Sequence, residues 1–381
     1  MLLPSLLLYL LAVPFQAEAT APALERRFLL MGTEARVALW STRSRTDLLA
    51  VSERARAALV ASEARLSTWT ADSELARLNA APRHQPVRLS PELAADLRAA
   101  FECRAATAGA FDPELGRLVA AWGLRTEGRW PSADEITTLA AEAGQPGLFL
   151  DSPAASARRR SDRTIEEGAW GKGAALDHAV AALGPGVLGE IDLGGQLRFT
   201  PGRAATVAVA HPHDREHLLL ALNVVGGSVA TSGNGERGLV VEGRRIGHLL
   251  DPRTGRPAPD FGSVTVWAPT ALEADCLATG LFVLGPEAAI GFAARRPDLG
   301  VVVVEAPAGQ PPRIRASAGW RGRLLPLDPS VTIEFAAAPE RPVAPTDEGA
   351  ETSATTAVGL DSPMNRGDRA STRPPLDSTG V

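Results

Sequence analysis

The run Glu273-Ala274-Asp275-Cys276-Leu277-Ala278-Thr279-Gly280, continued by Leu281-Phe282-Val283-Leu284 and closed by Gly285-Pro286, constrains the fold more than any other stretch. Leu272, Leu277, Leu281 and Leu284 recur at helical spacing and the Gly-Pro pair is a stop signal, so the segment reads as a short, mostly buried helix. Asp275 and Thr279 stand four residues apart and share one face of it. A carboxylate beside a hydroxyl is a pair of hard oxygens suited to Mg²⁺. Two ligands do not complete an octahedron, so waters or substrate phosphate oxygens must fill the remainder. On spacing alone a structural role competes, with Asp275 pairing locally and Thr279 bonding the carbonyl four residues back.

At 381 residues the chain is long enough to bury a sizeable core. Its 39 basic residues against 44 acidic ones, a net charge of −5, argue against a nucleic-acid binder. Cys103 and Cys276 lie far apart and outside any C-x-x-C pattern, which disfavours a thiolate zinc site or a disulfide scaffold and leaves a single bridge open. Residues 1–19 combine a short apolar run with an A-x-A-like ending and read as a secretory signal peptide. The expected location is therefore exported, periplasmic or membrane-associated on the outer side of the inner membrane, the latter if the segment is retained as an anchor. From about Ala336 to 381, Pro, Thr, Ser, Asp and Ala replace the apolar anchors, so a disordered tail is expected.

Between these ends, Thr33–Trp40 alternates as a strand after a glycine break, and a helix with an apolar stripe follows over 46–66. Trp69 sits in a polar loop, where it either stacks on a flat ligand or closes a core edge. Ser90-Pro91-Glu92 opens a helix running toward Gly109. Gly109-Ala110-Phe111-Asp112-Pro113 is then either a turn whose backbone and Asp112 meet a ligand or a plain Asp-Pro turn. Arg158–Arg163 reads as a solvated hairpin. Gly171-Lys172-Gly173 stands at the mouth of a helix, where main-chain N–H groups and one ammonium favour phosphate, although the spacing is not that of a P-loop. Leu193-Gly194-Gly195 ends a strand where main chain can approach a ligand closely. His211 and His213, split by Pro212, read as surface loop. His248 leads into Asp251-Pro252-Arg253-Thr254-Gly255; there a histidine can take a proton from a hydroxyl, while Arg253 either serves the site or pairs with Asp251. Leu299–Glu305 reads as the last buried strand.

Taken in order, these segments resemble the FAD:protein FMN transferase (ApbE) family. The resemblance rests on Met31-Gly32-Thr33; Leu66-Ser67-Thr68-Trp69 with Asp72-Ser73-Glu74 and Asn79; Gly109 to Pro113 with Trp122-Gly123; and Gly171-Lys172-Gly173 with Asp177. It continues through Leu193-Gly194-Gly195, Ala230-Thr231-Ser232-Gly233, His248 to Gly255, and Ala274-Asp275 with Ala278-Thr279. It implies an α+β fold, with mixed sheet layers flanked by helices, forming one two-lobed catalytic unit over 20–335. The implied reaction is Mg²⁺-dependent transfer of FMN from FAD to a Thr or Ser of an acceptor protein, with release of AMP. By position, Asp275 and Thr279 would bind Mg²⁺ through side chains and Ala169 through its carbonyl. Met31, Trp69, Ala110, Phe111, Asp112, Glu166, Lys172 and His248 would contact FAD, with His248 as general base. Glu166 departs from the family's usual Asp, Glu114 from Thr, and Trp170 from Ile or Val. Water as acceptor, giving FMN and AMP, and a non-catalytic FAD-binding protein are the alternatives.

Overall fold

The chain is represented by a computed structural model that describes residues 21–337 except 152, 236, 237 and 308. The expected export segment and all but the first two residues of the expected tail lie outside the described residues. A ten-stranded sheet runs in the order Leu24–Leu30, Thr33–Trp40, Leu188–Leu193, Gln196–His211, Asp214–Gly233, Gly262–Ala268, Gly300–Glu305, Arg313–Ala316, Ile333–Phe335, with Leu324–Pro326 paired beside this path onto 214–233. Its pairings are antiparallel except for Arg313–Ala316 with Ile333–Phe335, so the sheet is mixed. Eight helices are described: α1 Arg45–Leu66, α2 Glu74–Ala80, α3 Pro91–Ala106, α4 Gly116–Ala121, α5 Ala133–Ala143, α6 Gly171–Leu183, α7 Ala271–Leu284 and α8 Pro286–Ala294. None of them is long and apolar enough to cross a membrane. The α+β architecture agrees with the sequence reading.

Strand residues alternate between the two sides of the sheet, and here both sides are covered. Val301 and Val303 pack with Val264, Val266, Leu277, Leu281 and Phe282 under α7, whereas Val302 and Val304 join Phe199, Leu222 and Trp320 on the opposite side. A neighbouring cluster holds α1 and α6 against Val37, Leu39 and Ile191 of the same sheet. The helix α7 is apolar almost all round and correspondingly buried. Its N-terminus is doubly served: the Thr270 hydroxyl accepts from the Glu273 N–H, and the Asp177 carboxylate accepts from the N–H groups of Ala271 and Leu272 at 2.9 Å. Gly285, at φ +89°, ends it.

Local chemistry overrides the sequence reading at three places. Gly285-Pro286 is not the end of helical structure, because Pro286 occupies the first turn of α8, where its missing N–H costs nothing. Gly300–Glu305 is not the last strand: three short strands follow within the described residues, each too brief for its alternation to stand out. The Arg158–Arg163 stretch is only partly solvated. Arg158 and Arg160 flank the Phe149 ring at 4.4 and 4.8 Å, while Arg163 turns inward to pair with Asp112 and Glu114.

Candidate active site

The site forms where the first turn of α6 meets α7. At Gly173 the helices are so close that a Cβ would stand 2.3 Å from the Ala271 carbonyl oxygen and 2.6 Å from Leu272 Cα, so only glycine fits. This contact lets the Gly173 N–H donate to Asp275 Oδ2 at 3.1 Å, while Lys172 Nζ stands 3.5 Å from Asp275 Oδ1. Asp275 is buried, and its engaged partners are one main-chain donor and one long ion pair, which leaves acceptor capacity on the carboxylate. Lys172 also lies 3.4 Å from Gln196 Oε1, and the Gln196 amide donates to the Ala271 carbonyl at 2.8 Å. One turn along α7, Thr279 Oγ1 is 3.2 Å from Ser232 Oγ, so its hydroxyl reaches the central strand. Ala169 lies in the turn entering α6. Among the described residues no three His, Cys, Asp or Glu side chains gather to hold a metal. A cation at Asp275 must therefore share its shell among one carboxylate, hydroxyl and main-chain oxygens and a bound ligand, a donor set that fits Mg²⁺.

The Asp-Pro turn is held beside this pair. The Thr107 hydroxyl accepts from the Phe111 N–H at 3.1 Å, and Phe111 packs on Gly280, next to Thr279. Ala110 and Phe111 are both buried, leaving main chain as their means of touching a ligand. Asp112 does not offer a free carboxylate: it is bound by Arg163 and, at 3.0 Å, by Arg104, and it accepts from the Glu114 N–H at 2.9 Å. The reading of Asp112 as a side-chain acceptor for a sugar or ring edge is corrected on that ground. Glu114 joins the same network through Arg163, and burial pushes it up to about 6 against the pull of that guanidinium.

Trp69 does not close a core edge, being 68% exposed. The Arg125 guanidinium lies over its ring at 4.5 Å and also donates to the Thr68 hydroxyl, to Glu166 and, at 3.3 Å, to Glu167. Glu166 is fixed from its main chain as well: its N–H donates to the Pro113 carbonyl at 2.8 Å, and the neighbouring Ile165 is clamped in both directions by the Asn79 amide at 2.8 Å. Trp170 fills the space beneath, with Nε1 donating to the Glu166 carbonyl at 2.7 Å. The longer arm of Glu166 is thus drawn onto Arg125. Nothing in the local sequence marked Arg125, whose partners arrive from two separate segments, residues 68–69 and 166–167.

Burial, then the charge of Glu167, pushes Glu166 up to about 7, with Arg125 opposing both. A carboxyl raised in the folded state contributes stability that is full below the unfolded value near 4.5 and is lost as pH rises through about 7. Glu114 acts likewise between 4.5 and about 6. Glu166→Gln is therefore expected to flatten part of the fall in Tm between pH 5 and 7.5, on the order of a few degrees. Melting curves across that range check it; an unchanged slope would contradict the assignment.

Met31 occupies the two-residue turn between the first two strands, at φ +50° followed by Gly32 at +68°, the arrangement a tight hairpin requires. Its N–H donates to Glu63 Oε1 at 2.8 Å, anchoring the turn to α1. A cleft of about 630 Å³ opens beyond the turn, lined among others by Thr33, Asp192, Gly194 and Gly195 and by none of Lys172, Asp275 or Thr279, so this cavity does not contain the acid–alcohol pair. His248 is half-buried between the hairpin Leu239–Val241/Arg244–Ile246 and the ribbon at Leu250–Asp251, with the next residue's N–H held by Asn234 Oδ1 at 3.2 Å. Arg253 takes its structural role, gripping both carboxylate oxygens of Asp251 at 2.9 Å. His211 and His213 lie at the tip of the long hairpin, where Pro212 packs against Gly235 and His213 lines the same cleft as Thr33, Asp192 and Gly194.

The family model described as "ApbE family" matches residues 31–303. The FAD:protein FMN transferase of Escherichia coli (strain K12) is 32% identical over 236 residues, 58% of this chain and 67% of the relative. That of Treponema pallidum is 30% identical over 332 residues, 81% of this chain and 91% of the relative. Among solved structures, the ApbE protein of Thermotoga maritima superposes with a TM-score of 0.69 at 26% identity, over 76% of this chain and 96% of that one. The flavinyl transferase ApbE of Pseudomonas stutzeri gives 0.68 at 25%, over 79% and 96%.

Proposed function

The chain belongs to the ApbE family and is a transferase, and from that premise we propose that it moves the FMN half of FAD onto a Thr or Ser hydroxyl of an acceptor protein, leaving a phosphoester and releasing AMP. The observation that carries this reading is the placement of Asp275, with Lys172 and the Gly173 N–H against it and Thr279 one turn away. Asp275, Thr279 and the Ala169 carbonyl are the residues that would hold Mg²⁺, which when bound neutralises charge on the pyrophosphate and orients it. Lys172 supplies a positive point charge to the same phosphates, and the start of α6 turns main-chain donors toward them. Trp69, held by Arg125, offers an exposed ring for stacking on a flat heterocycle. Met31, Glu166 and the main chain of Ala110 to Asp112 would complete the nucleotide's surroundings. His248 takes the proton of the attacking hydroxyl, the one group the phosphate-binding side chains do not activate.

The direct test incubates the purified protein with FAD, Mg²⁺ and a flavin-acceptor domain, reading in-gel flavin fluorescence of the acceptor and AMP. Both products support transfer. AMP with an unlabelled acceptor supports hydrolysis, and neither product leaves FAD binding alone. His248→Ala is expected to slow transfer about 10²–10⁴-fold while leaving FAD affinity within about twofold. Equal loss of rate and affinity would make His248 a ligand contact. Action outside the inner membrane is part of the proposal and rests on residues 1–19 alone; N-terminal sequencing of the exported protein tests it.

A further inference from the structure

The chain has only two cysteines, Cys103 and Cys276, and the fold sets them against each other. Cys103 is in the last turns of α3 and Cys276 is in α7 immediately after Asp275; both belong to one buried cluster with Leu97, Phe111 and Leu272. Close to the end of α3 the two segments nearly touch: a Cβ at Gly280 would lie 2.7 Å from Thr107 Cγ2 and 3.0 Å from Phe111 Cβ. Four residues back along each, one helical turn, are Cys276 and Cys103. Cys103 stands close enough to Cys276 for the two side chains to interact. Both thiols are free in the structure.

We propose that Cys103 and Cys276 are a disulfide-forming pair that ties α3 to α7 when the chain folds in the presence of a small-molecule disulfide. One cysteine sulfur attacks the oxidant and expels one of its thiols. The other cysteine then attacks the mixed disulfide, the Cys103–Cys276 bond forms, and the second thiol leaves. The pair gives up two electrons and two protons, and the oxidant departs as two thiols. A bridge needs the two Cα atoms within about 7 Å, and the close approach of the segments at Gly280, one turn away, is what favours it. Since both side chains are buried, closure belongs to folding, before α3 covers α7, and the finished bond is shielded from reductants. The loop closed is about 170 residues, a large constraint on the unfolded chain. The bridge would also stiffen the helix that presents Asp275 and Thr279, although the inference does not depend on what that pair binds.

The test refolds the reduced, denatured full-length protein with either oxidised or reduced glutathione, alongside Cys103→Ser and Cys276→Ala. Thiols are counted in denaturant, peptides are mapped without reduction, and melting is recorded. The expected result for the oxidised wild type is a monomer with no free thiol, one peptide joining Cys103 to Cys276, and a Tm raised on the order of 10 °C over the reduced form. Neither variant should differ between the two conditions. Two free thiols in oxidatively refolded protein of native circular dichroism would overturn the proposal. So would intermolecular bridges in place of the internal one, or a bridge that lowers the Tm; these outcomes are read on the wild type and do not require either variant to fold.

Discussion

Asp275→Asn is expected to leave the fold intact and remove AMP release from FAD by about 10³-fold or more, the scale on which stripping a charged group from a phosphoryl-transfer site acts. Asparagine keeps the shape and an acceptor oxygen for the Gly173 N–H, and it loses only the negative charge that Lys172 faces at 3.5 Å. Asp275→Ala goes further. It leaves the Gly173 donor without its buried acceptor, an additional cost of about 1–3 kcal/mol. The pair of variants separates chemistry from folding: both should be inactive, and only the alanine should melt several degrees lower. AMP release and thermal melts on the same preparations check this. A wild-type rate in Asp275→Asn would remove the carboxylate from the metal assignment.

Gly173→Ala should be a severely damaging substitution at the site. Its methyl group would stand 2.3 Å from the Ala271 oxygen and 2.6 Å from both the Ala271 carbonyl carbon and Leu272 Cα, all of them backbone atoms. That backbone cannot retreat cheaply, because the N–H groups of Ala271 and Leu272 are held by Asp177, itself gripped by Arg198 at 2.8 Å. Overpacking of this kind costs about 1–3 kcal/mol and sometimes more, a Tm decrease of roughly 3–10 °C. Any relief separates α6 from α7 and draws the Gly173 N–H and Lys172 away from Asp275, so activity should fall even in the fraction that remains folded. Gly195→Ala is the matched control. Its Cβ meets nothing within 4 Å, and its cost, from φ +85°, is backbone strain of about 1 kcal/mol. Equal Tm values for the two variants would contradict the account of the α6–α7 contact.

What was legible beforehand had local causes. The spacing of Leu272, Leu277 and Leu281 marked α7, and the i, i+4 relation put Asp275 and Thr279 on one face without any knowledge of neighbours. Lys172 was readable because a helix mouth rich in glycine is itself a chemical feature. The partners that distant segments supply were not readable. Arg163 looked like one member of a solvated run, yet its partners are Asp112 and Glu114, about fifty residues earlier. The same pairing removed Asp112 from the set of free acceptors. Arg125 is informative only beside Thr68, Trp69, Glu166 and Glu167. Helix α8 was hidden because Gly-Pro both ends one helix and can begin another.

The most direct measurement is anomalous diffraction from crystals of this protein soaked in FAD with Mn²⁺ in place of Mg²⁺. The account predicts one strong peak within ligand distance of the Asp275 carboxylate, the Thr279 hydroxyl and the Ala169 carbonyl, bridged to the pyrophosphate of FAD, with Lys172 against the same phosphates. A peak elsewhere, or FAD bound with no cation between its phosphates and Asp275, would contradict it.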